Sequence, residues 1–156
     1  MMRDGQAGEG CNLFGTIEVP RVSAAVRIMP THELSTTDIL PDFSVRHALY
    51  FNASHTVRHL SFGDYFPGMT NPLDNVTRIC RAGAAEVRYL VKVVPCEHRA
   101  LNGSLTRSNL FSVTEHIRKL HWHSGPSTLP GVFFAYDIST MKVEFTERRG
   151  ASLLQS

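Results

Sequence analysis

The sequence predicts an all-β fold, an antiparallel β-sandwich with long connecting loops and little helix. Three features carry that prediction. Apolar and polar residues alternate with a period of two in run after run, as they do on strands whose faces meet different environments. Glycine, proline and asparagine punctuate the intervals between those runs. Only Thr114 to Trp122 admits a helical turn. With 156 residues, 42% of them hydrophobic and 19% charged, the chain has the length of one domain and the means to bury a core.

The runs follow one another in order. Leu13, Gly15, Ile17 and Val19 alternate with Phe14, Thr16 and Glu18 up to Pro20, and Val22 to Ile28 returns as the partner of a first hairpin. From Met29 to Leu49 the composition turns to Pro, Thr, Ser, Asp and His, which reads as the longest flexible connection. Val57, His59 and Ser61 then oppose Arg58, Leu60 and Phe62, after which Gly63, Pro67, Gly68 and Asn71-Pro72 break the strand. A second connection spans Asp74 to Glu86. Val87, Tyr89, Val91 and Val93 form a wholly apolar face opposite Arg88, Leu90, Lys92 and Val94, so that face belongs in the core. Asn102-Gly103 signals a type I′ hairpin turn into Leu105, Asn109, Phe111 and Val113. Val132 to Ser139 and Met141 to Glu147 complete the strands, with Phe133 on the face opposite Val132, Phe134 and Tyr136.

Composition and motifs exclude several functions. A net charge of +2 with scattered basic residues argues against nucleic-acid binding. No run approaches the roughly 20 apolar residues needed to span a bilayer, and the start lacks the apolar core of a secretory signal. His121 and His123, near His116, lack a carboxylate or cysteine to complete a metal set, and the loop Ser124-Gly125-Pro126-Ser127 follows. His55 and His59 share a strand face near Asp64, yet no serine or cysteine stands in a nucleophile turn. No cofactor, metal or catalytic residue is expected. Phe62, Tyr65, Phe66, Trp122, Phe133 and Phe134 serve either the core or a partner.

Four blocks in the same order, and a fifth near the end, carry a family resemblance. Cys11-Asn-Leu-Phe-Gly-Thr-Ile-Glu-Val-Pro-Arg-Val-Ser23, Phe51 to Asp74, Tyr89-Leu-Val-Lys-Val-Val-Pro95, Asn109 to His116 and Pro130 to Glu147 resemble the luminal domain of the COPII-vesicle cargo-receptor family. These are paired membrane proteins that cycle between the endoplasmic reticulum and the Golgi. Two departures stand out: Ala24-Ala-Val-Arg27 replaces Gly-Asn-Phe-His, and Asn75 stands where the family usually has Gly. The resemblance implies a luminal β-sandwich over residues 11–148, with flexible segments at 1–10 and 149–156 and membrane helices on either side. It further implies cargo proteins and a sibling receptor subunit as partners, with COPII and COPI coats engaged through cytosolic tails outside this sequence. The alternatives are a noncatalytic domain of a thioredoxin-containing disulfide-isomerase-like enzyme and a carbohydrate-binding β-sandwich.

A luminal setting gives other residues meaning. Asn52, Asn75 and Asn102 head sequons for N-glycans. Cys11, Cys80 and Cys96 are an odd set without a Cys-x-x-Cys pair. Cys80 with Cys96 is the expected disulfide, and Cys11 is free to pair with upstream family sequence. His55, His59 and His116 lie in the blocks that resemble the family. Imidazole titrates between a near-neutral and a mildly acidic compartment, so these three are the candidate pH-sensitive partner surface.

Overall fold

The computed structural model describes residues 10–29, 51–81, 84–120 and 130–150. The connection through residues 30–49, the 121–127 histidine loop and the two terminal segments expected to fray lie mainly or wholly outside these. The described residues form eight strands and no helix: β1 (Ala24–Ile28), β2 (His55–Val57), β3 (Phe62–Gly63), β4 (Val76–Arg78), β5 (Ala85–Arg99), β6 (Leu105–Lys119), β7 (Gly131–Ile138) and β8 (Val143–Thr146). Six belong to one sheet in the order β1-β7-β5-β6-β3, with β8 also on β5; β2 and β4 make a separate two-stranded sheet.

The all-β expectation holds, but the sheet is mixed and not purely antiparallel. β5 pairs antiparallel with β6 along its whole length, from Ala85↔Lys119 to Arg99↔Leu105. Its other edge takes two parallel partners in succession, β7 against Glu86 to Val93 and β8 against Cys96 to Arg99. Pro95, which cannot donate to a ladder, falls in the gap between them. That placement lets a strand expected to end near Val94 continue to Arg99.

The inner face of β5 is the core. Val87, Tyr89, Val91 and Val93 are all buried, together with Phe111 of β6 and Val132 and Tyr136 of β7. Ala53 and Leu73, from the segments flanking the small sheet, close over them, while Phe51, Val57, Leu60 and Val76 pack at the margin. The second layer is thus two short strands and their loops. A smaller cluster of Phe66, Met69 and Cys96 lies apart.

Other local expectations are corrected. The run Val57 to Phe62 is not one strand but two, β2 and β3, which belong to different sheets. Between them the Arg58 carbonyl accepts from the Asn75 backbone N–H (3.2 Å) and the Leu60 N–H donates to Asp74 (3.0 Å). The 71–75 turn therefore occupies the ladder position. Leu13 to Val19 forms no strand. β1 pairs instead with β7, where Val26 meets Phe134 and Ile28 meets Val132, and these apolar cross-strand pairs stabilise it. The Asp74–Glu86 connection contains β4, and Thr114 to Lys119 continues β6 without a helical turn.

The Asn102-Gly103 turn is not type I′, because only Gly103 has positive φ (+85°). The Gly103 N–H donates to the Ala100 carbonyl and the Ala100 N–H to that of Ser104, the three-residue loop in which a left-handed glycine follows a tight turn. Asn75, at φ +60°, occupies a left-handed position of its own. Asparagine tolerates that conformation better than most residues, which accounts for its standing where the family's glycine is usual.

Candidate recognition surface

The three histidines singled out in the sequence occupy three different settings. His55 is half-buried on β2 beneath the small sheet. Its Nδ1 lies 2.7 Å from the Ala53 carbonyl, which can only accept, so Nδ1 carries the proton. Nε2 of the neutral ring then accepts from the Tyr89 hydroxyl at 2.8 Å. This pair, with the Arg78–Glu115 ion pair, ties the small sheet to β5 and β6.

Tyr89 is fully buried, and its phenol is pushed up to about 12. Loss of solvation is the main cause; the negative charge of Glu115 adds to it and Arg78 opposes it. An unfolded tyrosine ionises near 10, so the unfolded chain releases its proton first as pH rises. The sign follows: stability is full below about pH 10 and falls between about 10 and 12, by roughly 2–3 kcal/mol from this group. Denaturant melts at pH 8, 10 and 11 are expected to show that decline, and Tyr89→Phe to remove this residue's share of it. An equal slope in Tyr89→Phe removes the assignment.

His59 is exposed beside Asp74. Its Nδ1–H donates to the carboxylate at 3.0 Å, and Ser61 donates to Nε2 at 3.2 Å. Desolvation works against ionised Asp74, yet the Leu60 N–H and the His59 and Asn71 side chains together hold its carboxyl below the ordinary value. His116 is exposed on the outer face of β6, directly across from Arg88. The structure thus brings His55 and His59 near the small sheet and its turns, and puts His116 on the other side of the main sheet.

Sequence reasoning missed His98. This residue is buried near the end of β5, stacked on Phe66 with ring centroids 5.0 Å apart, and its Nε2 lies 3.1 Å from Glu147. The core series gives no signal for it, because Cys96 and His98 lie on the face of β5 opposite Val87 to Val93, where Phe66 and Met69 cover Cys96. Among the anchors, Phe62 packs on Phe111 and Phe134 stacks on Tyr89, whereas Tyr65 is largely exposed. Phe133 lies half-buried on the outer face with Arg27 over its ring at 5.9 Å.

The three sequon asparagines are all exposed. Asn52 and Asn102 each accept from the backbone N–H two residues on, and Asn75 lies in the turn before β4. The expected Cys80–Cys96 disulfide is absent: both are free thiols, Cys80 against the main core and Cys96 in the smaller cluster. Burial raises both thiol pKa values, so each is held protonated as a small apolar group. Cys11 is exposed. No group of three or more metal-ligating side chains occurs among the described residues.

A β-domain with a tied second layer and an open outer sheet face has the build of a binding module. A family model described as "Endoplasmic reticulum vesicle transporter" matches residues 1–155, and the chain belongs to that family. It is 42% identical over 151 residues to probable endoplasmic reticulum-Golgi intermediate compartment protein 3 of Dictyostelium discoideum, covering 92% of this chain and 38% of that protein. Human endoplasmic reticulum-Golgi intermediate compartment protein 2 is 36% identical over 103 residues, covering 66% of this chain and 27% of the relative. The crystal structure of Erv41p is similar with a TM-score of 0.60 and 26% identity, over 81% of this chain and 53% of that one. The chain thus spans well under half the length of these two relatives. Its family consists of transport proteins of the ER–Golgi compartments and not of enzymes.

Proposed function

We propose that residues 11–148 are the luminal recognition domain of a membrane cargo receptor cycling between the endoplasmic reticulum and the Golgi. In this reading the domain binds cargo and a sibling receptor subunit for vesicle transport and retrieval, while polypeptide outside it supplies the membrane anchor and the tails that engage COPII and COPI coats. The observation that carries the reading is the family match along residues 1–155. The described residues contain no helix long and apolar enough to cross a membrane. Asn52, Asn75 and Asn102 are the proposed glycan acceptors, since all three are exposed.

Luminal orientation has a direct test. Expressed in cells with its natural flanks, the protein is expected to run faster on gels after endoglycosidase treatment, and the triple Asn→Gln variant to be insensitive. A protein that migrates unchanged with all three sequons intact defeats the luminal assignment. Sorting is tested by reconstituted vesicle budding, where the receptor is expected to be recovered in vesicles.

The same reading assigns His55, His59 and His116 to pH-dependent binding. Protonating His55 requires Tyr89 to stop donating to Nε2, protonating His59 strengthens its pair with Asp74, and protonating His116 adds charge opposite Arg88. Partner affinity is expected to differ between near-neutral and mildly acidic pH. A flat profile, or an unchanged slope in each histidine-to-glutamine variant, removes these residues from the mechanism.

A further inference from the structure

The outer face of the main sheet is open across four strands, and its residues fall into cross-strand rows. One row runs Arg27–Phe133–Arg88–His116, through β1, β7, β5 and β6. The next is Ala25–Ala135–Leu90–Thr114, and the third joins Asp137, Lys92 and Ser112. The middle row is low, because three of its four side chains are small. It floors a shallow trough of about 570 Å³ whose lining includes Leu90, Ala135, Thr114, Lys92, Asp137 and Ser23. Leu90 is 47% exposed at its centre.

The rows on either side of the middle row differ in charge. On the far bank, Lys92 is paired with Asp137, which also accepts from Ser23 at 2.6 Å, so that bank is neutral. On the near side, Glu86 divides its two oxygens between Arg88 (2.5 Å) and Arg118 (2.8 Å). Arg27 has no acidic partner among the described residues and lies over the Phe133 ring. Three guanidiniums against one carboxylate leave an excess of two positive charges, before any contribution from His116.

We propose that this trough is a docking surface for an extended acidic segment of a partner protein, one that presents a carboxylate and an aliphatic side chain two residues apart. An extended chain repeats its same-face side chains about every 6.6–6.8 Å, which is the spacing of Arg88, Leu90 and Lys92 along β5. A carboxylate over the Arg27–Arg88 row therefore places the side chain two residues on over Leu90 and Ala135. The residue four on then meets the Lys92–Asp137 row. A polyphosphate backbone gains the charge but leaves the apolar floor uncovered, so a polypeptide fits better. The inference deepens the recognition reading by giving one surface and its partner chemistry, and it rests on that reading.

The probes are synthetic peptides titrated into the isotopically labelled chain and followed by NMR shifts. Acetyl-Ser-Glu-Ser-Leu-Ser-Glu-Ser-amide is expected to give saturable shifts at Arg27, Arg88, Leu90 and Ala135, weakening as salt is raised. The lysine counterpart, and a peptide of the same composition with adjacent glutamates, are expected to bind at least tenfold more weakly. Arg27→Glu and Leu90→Ser, both exposed and expected to leave the melting temperature unchanged, should each weaken the first peptide by about tenfold. Equal binding of all three peptides, shifts that map elsewhere, or no saturable binding overturns the proposal. Such a failure leaves vesicle recruitment of the receptor unaffected, so the two readings fail separately.

Discussion

Val91→Asp is expected to unfold the domain. Val91 is 2% exposed at the middle of β5, and its cross-strand neighbours are Val113 on one side and Tyr136 on the other. Neither cross-strand neighbour carries a basic side chain. A carboxylate placed there stays ionised without a partner or takes up a proton, and either course costs at least several kcal/mol. A domain of this size has about 5–15 kcal/mol in total, so the cost is comparable with the whole. Circular dichroism is expected to lose its cooperative thermal transition, whereas Leu90→Asp, one residue away on the open face, should keep it. A Val91→Asp variant melting with the natural protein refutes the inward placement of that face.

The same contrast explains how much of the fold was legible in the sequence. β5 was readable because its two faces differ sharply, Val87, Tyr89, Val91 and Val93 against Arg88 and Lys92. The end of β6 was not. From Thr114 to Lys119 the residues on both faces are at least partly exposed, so hydrophobic periodicity fades although the strand continues opposite β5. Strand partners were hardest to read. Leu13 to Val19 has strand alternation without a ladder, while β1 and β8 pair with strands far away in sequence, which no local pattern encodes. Among the site residues, the half-burial of His55 depends on Tyr89, 34 residues on, and the near-complete burial of His98 on Phe66 and Glu147. Chemistry of that kind appears only after folding. The outer-face rows share this property: each of Arg27, Phe133, Arg88 and His116 was visible alone, and register alone aligns them.

That register depends on one glycine. Gly131 opens β7 where it passes the end of β1, and a Cβ built on it would lie 2.6 Å from the Ile28 carbonyl oxygen and 3.2 Å from the Met29 side chain. The nearest obstruction is backbone and cannot rotate aside, so even alanine forces β1 away from β7. Overpacking of this type costs about 1–3 kcal/mol, a loss of roughly 2–12 °C in melting temperature for a domain of this length. Gly131→Val should cost more. The damage should also be local: β1 pairs with β7 alone, whereas β5 and β6 hold each other over 15 residues. Hydrogen exchange is therefore expected to accelerate at Ala24 to Ile28 in Gly131→Ala while β5 and β6 amides stay protected. Displacing β1 also carries Arg27 away from Phe133, so the acidic peptide should weaken in this variant although no residue of the trough has been changed. Gly10→Ala, with open space around its Cβ position, is the neutral control. If Gly131→Ala matches that control in melting temperature and in exchange at β1, the close approach of the two strands is not what holds the outer face in register.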